Sequence, residues 1–259
     1  MLEISDLTVD YDAKRALEGF SLGMAEGEIV ALVGESGSGK TTAIRTVLGL
    51  LPPGGEVASG EVTLDGVDLL DLDAEGWQEL RGERVSMIFQ DAGAMLNPIR
   101  TIGGQFVEFV RAHRKVDKAE ARKLAGEMLD KMGLPDTDSI LASYPFQLSG
   151  GQRQRVGIAM AMTFRPRLLL ADEPTSALDV TTQAQIVRQM VELRDDFGTA
   201  ILIVTHNLGV ALYMADRVVV MRDGRIVDEG TRAELLASEV PYTRQLLAAV
   251  PSLEEAAHV

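Results

Sequence analysis

No cysteine occurs among the 259 residues, which excludes disulfides, thiolate metal sites and cysteine nucleophiles and fits a reducing compartment. Basic residues are in deficit: 25 Lys and Arg stand against 39 Asp and Glu, for a formal net charge of -14. Sequence-independent nucleic-acid binding is done by clustered cations, so that class is not expected and no nucleic-acid partner is predicted. Long apolar runs are missing too. The nearest, "VGIAMAMTF" at 156–164, is half of the roughly 18 residues that a membrane span needs. The opening "MLEISDLTVDYD" lacks the basic start and apolar core of a signal peptide. If the protein works at a membrane, another chain is expected to carry it there.

What is present reads as a single α/β domain. "LEISDLTV" alternates apolar and polar residues like a half-buried strand, and "EVTLDG" at 61–66 does the same before an Asp-Gly turn. "EIVALV" at 28–33, "RLLLADE" at 167–173 and "TAILIVT" at 199–205 are continuous apolar runs, each followed by helical patterning. Buried strands alternating with helices predict a mixed, mainly parallel sheet. "DRVVVMRDGRIVDEG" at 216–230 predicts a hairpin through Asp223-Gly224. "PPGG" at 52–55 reads as a surface loop. The middle has little strand character and several helical stretches, among them "DKAEARKLAGEMLDKMG" at 117–133 with Gly133 as its C-cap. The expected layout is a core of residues 1–96 and 165–240, an inserted helical subdomain at about 97–164, and a short C-terminal tail at 241–259.

"GESGSGKT" has the P-loop spacing. Gly34, Glu35, Ser36 and Gly37 begin a turn that Ser38 and Gly39 complete, and its backbone can wrap closely round an anion. Lys40 then puts a cation at the β- and γ-phosphates, with Thr41 in reach of Mg2+ and Thr42 following on the helix. Such a site needs an acid for the metal and a group that positions water. "RLLLADEP" offers Asp172 for the magnesium shell and Glu173 as general base. Gln90 after "VSMIF" and His206 after "AILIVT" also follow apolar runs, so both are expected at the same edge as catalytic candidates.

A second small-residue turn, Ser149-Gly150-Gly151, opens a helix carrying Gln152, Arg153 and Arg155. The first N–H groups of a helix have no intrahelical partner, so this too is an anion site in waiting. Arg153 and Arg155 read as solvated helix positions.

Taken together, these residues resemble the ATP-binding cassette (ABC) ATPases over essentially the whole chain. "LSGGQ" at 148–152 matches that family's signature, and the P-loop, Gln90, the signature, "LLLADE" at 168–173, "SALD" at 176–179 and His206 follow in the family's order. The resemblance implies a P-loop NTPase core with an N-terminal antiparallel β subdomain and an inserted α-helical subdomain, using ATP and Mg2+. It also explains the second turn. Two such ATPases pack head to tail, so that Ser149, Gly150, Gly151 and Gln152 serve the nucleotide held by the partner. By the same resemblance Tyr11 stacks on adenine, Asp179 crosses the dimer interface, and Gln90 joins Thr41 and Asp172 at the metal and begins a lid loop that touches membrane subunits.

"FQDAGAMLNPIRTIGGQ" at 89–105 and "PYTRQLLAAVP" at 241–251 resemble the oligopeptide, dipeptide and nickel importer group. The implied partners are a second ABC ATPase subunit, as hetero- or homodimer, two transmembrane permeases and, indirectly, a substrate-binding protein. The implied location is peripheral, on the cytoplasmic face of the inner membrane. An exporter or lipoprotein-release ATPase is the alternative, with a non-transport ABC ATPase acting on nucleic acid behind it. Relatives often carry Pro after "FQD"; Ala92 stands there in this chain, so a different loop shape is expected.

Overall fold

The computed structural model describes residues 1–12 and 14–250. Of the expected C-terminal tail, residues 251–259 lie outside the described residues. In chain order run β1 (Leu2–Tyr11), β2 (Lys14–Met24), β3 (Ile29–Val33), α1 (Lys40–Val47), β4 (Gly55–Leu64), β5 (Val67–Asp68), α2 (Ala74–Leu80) and β6 (Val85–Ile88). Helices α3 (Ile102–His113), α4 (Lys118–Lys131), α5 (Thr137–Ala142) and α6 (Gly150–Met162) follow, then β7 (Leu168–Asp172) and α7 (Val180–Phe197). The chain continues through β8 (Ala200–Val204), α8 (Leu208–Met214), β9 (Arg217–Arg222), β10 (Arg225–Gly230), α9 (Arg232–Leu236) and α10 (Pro241–Ala248). These elements fall into two compact units, one of residues 1–81 with 200 onward and one of residues 82–199.

The first unit holds an antiparallel sheet ordered β2-β1-β4-β5. In β1, Leu2 and Ile4 are buried while Glu3 and Ser5 face out, as alternation demands. Asp6 then takes a left-handed φ of 50°, and the register with both neighbours shifts at that point. Beyond this bulge Leu7, Thr8 and Val9 are all buried, so the strand changes the face it presents. Gly55 already belongs to β4, which shortens the surface loop expected at 52–55.

Beside it, β3 lies between parallel β8 and parallel β9, with Ile29 opposite Ile201 and Val30 opposite Arg217. All five residues of β3 and of β8 are buried, which is why both read as unbroken apolar runs. β9 returns through β10 as the expected hairpin; Asp223 and Gly224 have φ of 50° and 78°, the two positive values that a tight hairpin turn needs.

In the second unit β6 and β7 are parallel neighbours, Val85 opposite Leu168, and helices α3 to α6 come between them in sequence. Phe106 and Val110 of α3, Ala125 and Leu129 of α4, and Val156 and Ala159 of α6 are wholly buried and form the core of this helical insertion. Side chains fix the helix starts: Thr101, Asp117, Asp136, Ser149 and Asp179 each accept a hydrogen bond from a first-turn amide. Met132 is the C-cap of α4, and the expected Gly133 follows it with a left-handed φ of 65° that turns the chain away.

Candidate functional site

β3 delivers the chain to the glycine loop. Gly34 has φ of 146°, and a Cβ there would lie 2.1 Å from the Met221 carbonyl oxygen, so no other residue fits. Gly39, the residue before α1, has φ of 99°, and a Cβ would lie 2.6 Å from the Ala16 oxygen and 2.7 Å from Leu17. It also leaves the helix start without a side-chain cap. Between them Glu35, Ser36 and Gly37 form the exposed crest of the loop, while Ser38 is buried.

Lys40 is only 6% exposed. Its ammonium donates to the Gly34 oxygen at 2.8 Å, the Glu35 oxygen at 2.7 Å and the Ser38 hydroxyl at 3.1 Å. A buried cation must be solvated by fixed dipoles, and the loop's own oxygens do this. Thr41 and Thr42 sit half-buried on the first turn of α1. Two distant segments brace the loop: the Gly224 amide donates to the Ser38 oxygen at 3.2 Å, and the Tyr242 hydroxyl accepts from the Glu35 amide at 3.0 Å. Tyr242 is held in turn by its neighbour Thr243, whose hydroxyl donates to Asp228 at 2.6 Å. The "PYT" segment thus supports the glycine loop through Tyr242, which sequence reading did not foresee.

His206 lies exposed just past the carboxyl end of β8, the direct parallel neighbour of β3, so it shares an edge with the glycine loop. Ligands of such sheets gather at that edge. Tyr11 ends β1, and its ring lies over Gly55, where a Cβ would approach it to 2.6 Å. Gly39→Ala is expected to cost about 1–3 kcal/mol for its left-handed backbone alone, lowering Tm by several degrees and weakening nucleotide binding. Melting and nucleotide titration check this; curves that overlay the wild type contradict it.

In the second unit Asp172 is the last residue of β7 and 7% exposed. Glu173 follows with φ of 48°, a left-handed conformation on the order of 1–3 kcal/mol above the favoured regions for a non-glycine residue. Both the Ser176 amide and hydroxyl donate to the Glu173 carbonyl oxygen at 3.2 Å and hold that turn. Gln90 lies two residues past β6, and its amide nitrogen stands 3.5 Å from the Glu173 carboxylate. Among the described residues no three His, Asp or Glu side chains gather as a metal cage. The expected magnesium donors are instead a hydroxyl, a carboxamide and a carboxylate, all hard oxygens of the kind Mg2+ takes.

The signature turn is a full capping box. The Ser149 hydroxyl accepts from the Gln152 amide at 3.2 Å, and the Gln152 side chain accepts from the Ser149 amide at 2.8 Å. Ser149 and Gly150 are exposed at the tip of α6. A Cβ on Gly151 would lie 2.7 Å from the Thr182 methyl, so the glycine lets the tip abut the first turn of α7. Asp179 caps that turn, accepting from the Thr182 amide at 2.9 Å and hydroxyl at 2.8 Å. These bonds, the amide's first, hold its carboxyl below the usual carboxylate range.

Arg153 and Arg155 are half-buried and hydrogen-bonded rather than simply solvated. Arg153 donates to the Leu148 oxygen at 2.6 Å, and Arg155 reaches Gln185 at 2.6 Å and the Gly133 oxygen at 3.4 Å. Arg153 closes on the entry to its own helix, whereas Arg155 ties that helix to α7 and to the end of α4, through partners that local patterning does not reveal. Ala92 is buried rather than simply a different loop residue, and its amide donates to Gln154 at 3.3 Å, a bond that proline could not make. Gln154 was missed by sequence reading; a polar residue four positions before Ile158, on the buried face of α6, was the available signal.

Residues 17–176 match the ABC transporter family. The chain is 42% identical over 261 residues to the oligopeptide transport ATP-binding protein AmiE of Streptococcus pneumoniae, across 98% of this chain and 74% of that protein. To the oligopeptide transport ATP-binding protein OppD of Bacillus subtilis it is 42% identical, across 98% of this chain and 73% of the relative. Among solved structures, the ATP-binding cassette MJ0796, a dimer in a post-hydrolysis state bound to ADP and Pi, superposes with a TM-score of 0.79 at 31% identity over 90% of this chain and 99% of that one. Likeness along nearly the full length, through the loop, helix tip and strand ends just described, places the chain in the ABC transporter family as one of its ATP-binding subunits.

Proposed function

We propose that this chain is the ATP-hydrolysing subunit of an importer that takes up oligopeptides or dipeptides, working from the cytoplasmic face of the inner membrane through two partner permeases. The observation that carries this reading is the likeness across 98% of the chain to oligopeptide transport ATP-binding proteins, joined to a glycine loop with a buried lysine at its base. No helix among the described residues is long and apolar enough to cross a membrane, so the permeases supply the passage.

The chemistry follows from the residues. Lys40 and the amides of the 34–41 loop bind the β- and γ-phosphates, as charge-assisted bonds to an anion outcompete bonds to neutral loop oxygens. Thr41, Asp172 and Gln90 hold Mg2+, and Asp172, a carboxylate kept out of water at a strand end, suits a cation neighbour. When bound, the metal neutralises charge on the phosphates. Glu173 takes the proton from the attacking water, with Gln90 and His206 positioning the reacting groups. Tyr11 stacks on the adenine ring, a contact tolerant of exact geometry. Ser149, Gly150, Gly151 and Gln152, with Asp179 nearby, meet the γ-phosphate held by a second ATPase subunit, so that ATP binding closes the pair and phosphate loss releases it.

Reconstitution with the permeases and binding protein tests the cargo. Peptides are expected to stimulate ATP hydrolysis and to be taken up, whereas nickel chelates and lipoproteins are not. Stimulation by a chelate or a lipoprotein alone contradicts the peptide reading.

A further inference from the structure

Buried glutamine is uncommon, because a carboxamide taken from water costs stability unless both its ends are paired. Gln154 is 5% exposed on the face of α6 that also carries Ile158, Ala161 and Met162. Both its ends are paired. The side-chain oxygen accepts from the Ala92 amide at 3.3 Å, and the side-chain nitrogen donates to the Pro174 carbonyl oxygen at 2.6 Å. A backbone N–H can only donate and a carbonyl only accept, so these partners dictate which way the carboxamide faces.

The two partners are significant for what adjoins them. Ala92 lies two residues after Gln90, and Pro174 directly follows Glu173. Gln154 itself lies five residues after Ser149 on one continuous helix, a rise of roughly 8 Å from the signature tip. The contact with the loop is close-packed: a Cβ on Gly157, one turn further along α6, would lie 2.4 Å from the Ala92 methyl.

We propose that Gln154 is a positioning residue for ATP hydrolysis, a crossbeam that spaces the Gln90 loop from the Glu173 turn and fastens both to the helix that carries the signature tip. This rests on the reading of Glu173 as the base and adds to it a means by which the tip sets the geometry around that base. One side chain of α6 thus bonds both the Ala92 amide and the Pro174 carbonyl.

The test is Gln154→Met in the full chain, which keeps length but makes neither bond, with Glu173→Gln run in parallel. The expected result is a fall in kcat of about ten- to a hundred-fold with KM for MgATP changed by less than about two-fold. Amide exchange should rise at residues 90–96 and 173–176 and stay unchanged in residues 1–81. Gln154→Leu, similar in bulk and equally without either bond, should give the same fall in kcat and the same rise in exchange at both segments. A Gln154→Met protein with wild-type kcat and exchange overturns the proposal, and so does protection lost evenly along the chain, which marks a packing role alone. The control separates the two readings. Normal turnover by Glu173→Gln refutes the base assignment, whereas an inactive Glu173→Gln beside a fully active Gln154→Met refutes only the crossbeam.

Discussion

Glu173→Gln should bind MgATP with wild-type affinity and hydrolyse it at least about 100-fold more slowly, the loss expected when a general base is removed. The substitution preserves shape and the hydrogen bonds that hold the turn, since Ser176 donates to the Glu173 backbone carbonyl rather than to its side chain. It removes the carboxylate's charge and with it the capacity to take a proton. The left-handed backbone at Glu173, with φ of 48°, is the kind of strain that persists where a side chain must be aimed, and the carboxylate does stand beside Gln90. Phosphate release and titration with a fluorescent nucleotide separate turnover from binding. A variant that releases phosphate at the normal rate contradicts the assignment.

Lys40→Ala should lose binding itself. The ammonium is buried with three loop oxygens around it, and no neighbouring side chain in the loop can replace a cation there, as the adjacent positions are Gly, Ser and Thr. Hydrogen bonds to charged groups contribute about 1.5–3 kcal/mol each, and two phosphate contacts at that strength correspond to a weakening of about 100-fold or more. Calorimetric titration of MgATP measures it; an affinity within about three-fold of wild type contradicts the role. The paired results differ in kind, with Glu173→Gln reducing kcat and Lys40→Ala reducing affinity.

The parts of this protein legible in sequence are those whose cause is local. β3, β7 and β8 were visible as apolar runs because strands buried on both faces leave no polar alternation. The Asp223-Gly224 hairpin and the Gly133 helix end were visible because particular backbone angles demand particular residues. The glycine loop and the signature turn were visible for the same reason: each closes within a few residues. Features made by distant partners were not. Tyr242 reaches the Glu35 amide from 207 residues away, and Arg155 finds Gln185 at a separation of 30. Neither spacing has a periodicity to betray it. The bulge at Asp6 was hidden differently: alternation identifies a strand but not the point where it changes faces. Gln154 shows the same limit at the site, since its two partners lie 62 residues before it and 20 after it.

A triphosphate is expected to join the glycine loop of one ATPase to the exposed α6 tip of another. Sedimentation of the Glu173→Gln protein at saturating MgATP, alone and with its cognate companion ATPase, tests this most directly, because trapped nucleotide cannot be lost to turnover. The expected result is a two-chain particle that returns to single chains when ATP is replaced by ADP. Single chains throughout, with the companion present and ATP bound, would contradict it.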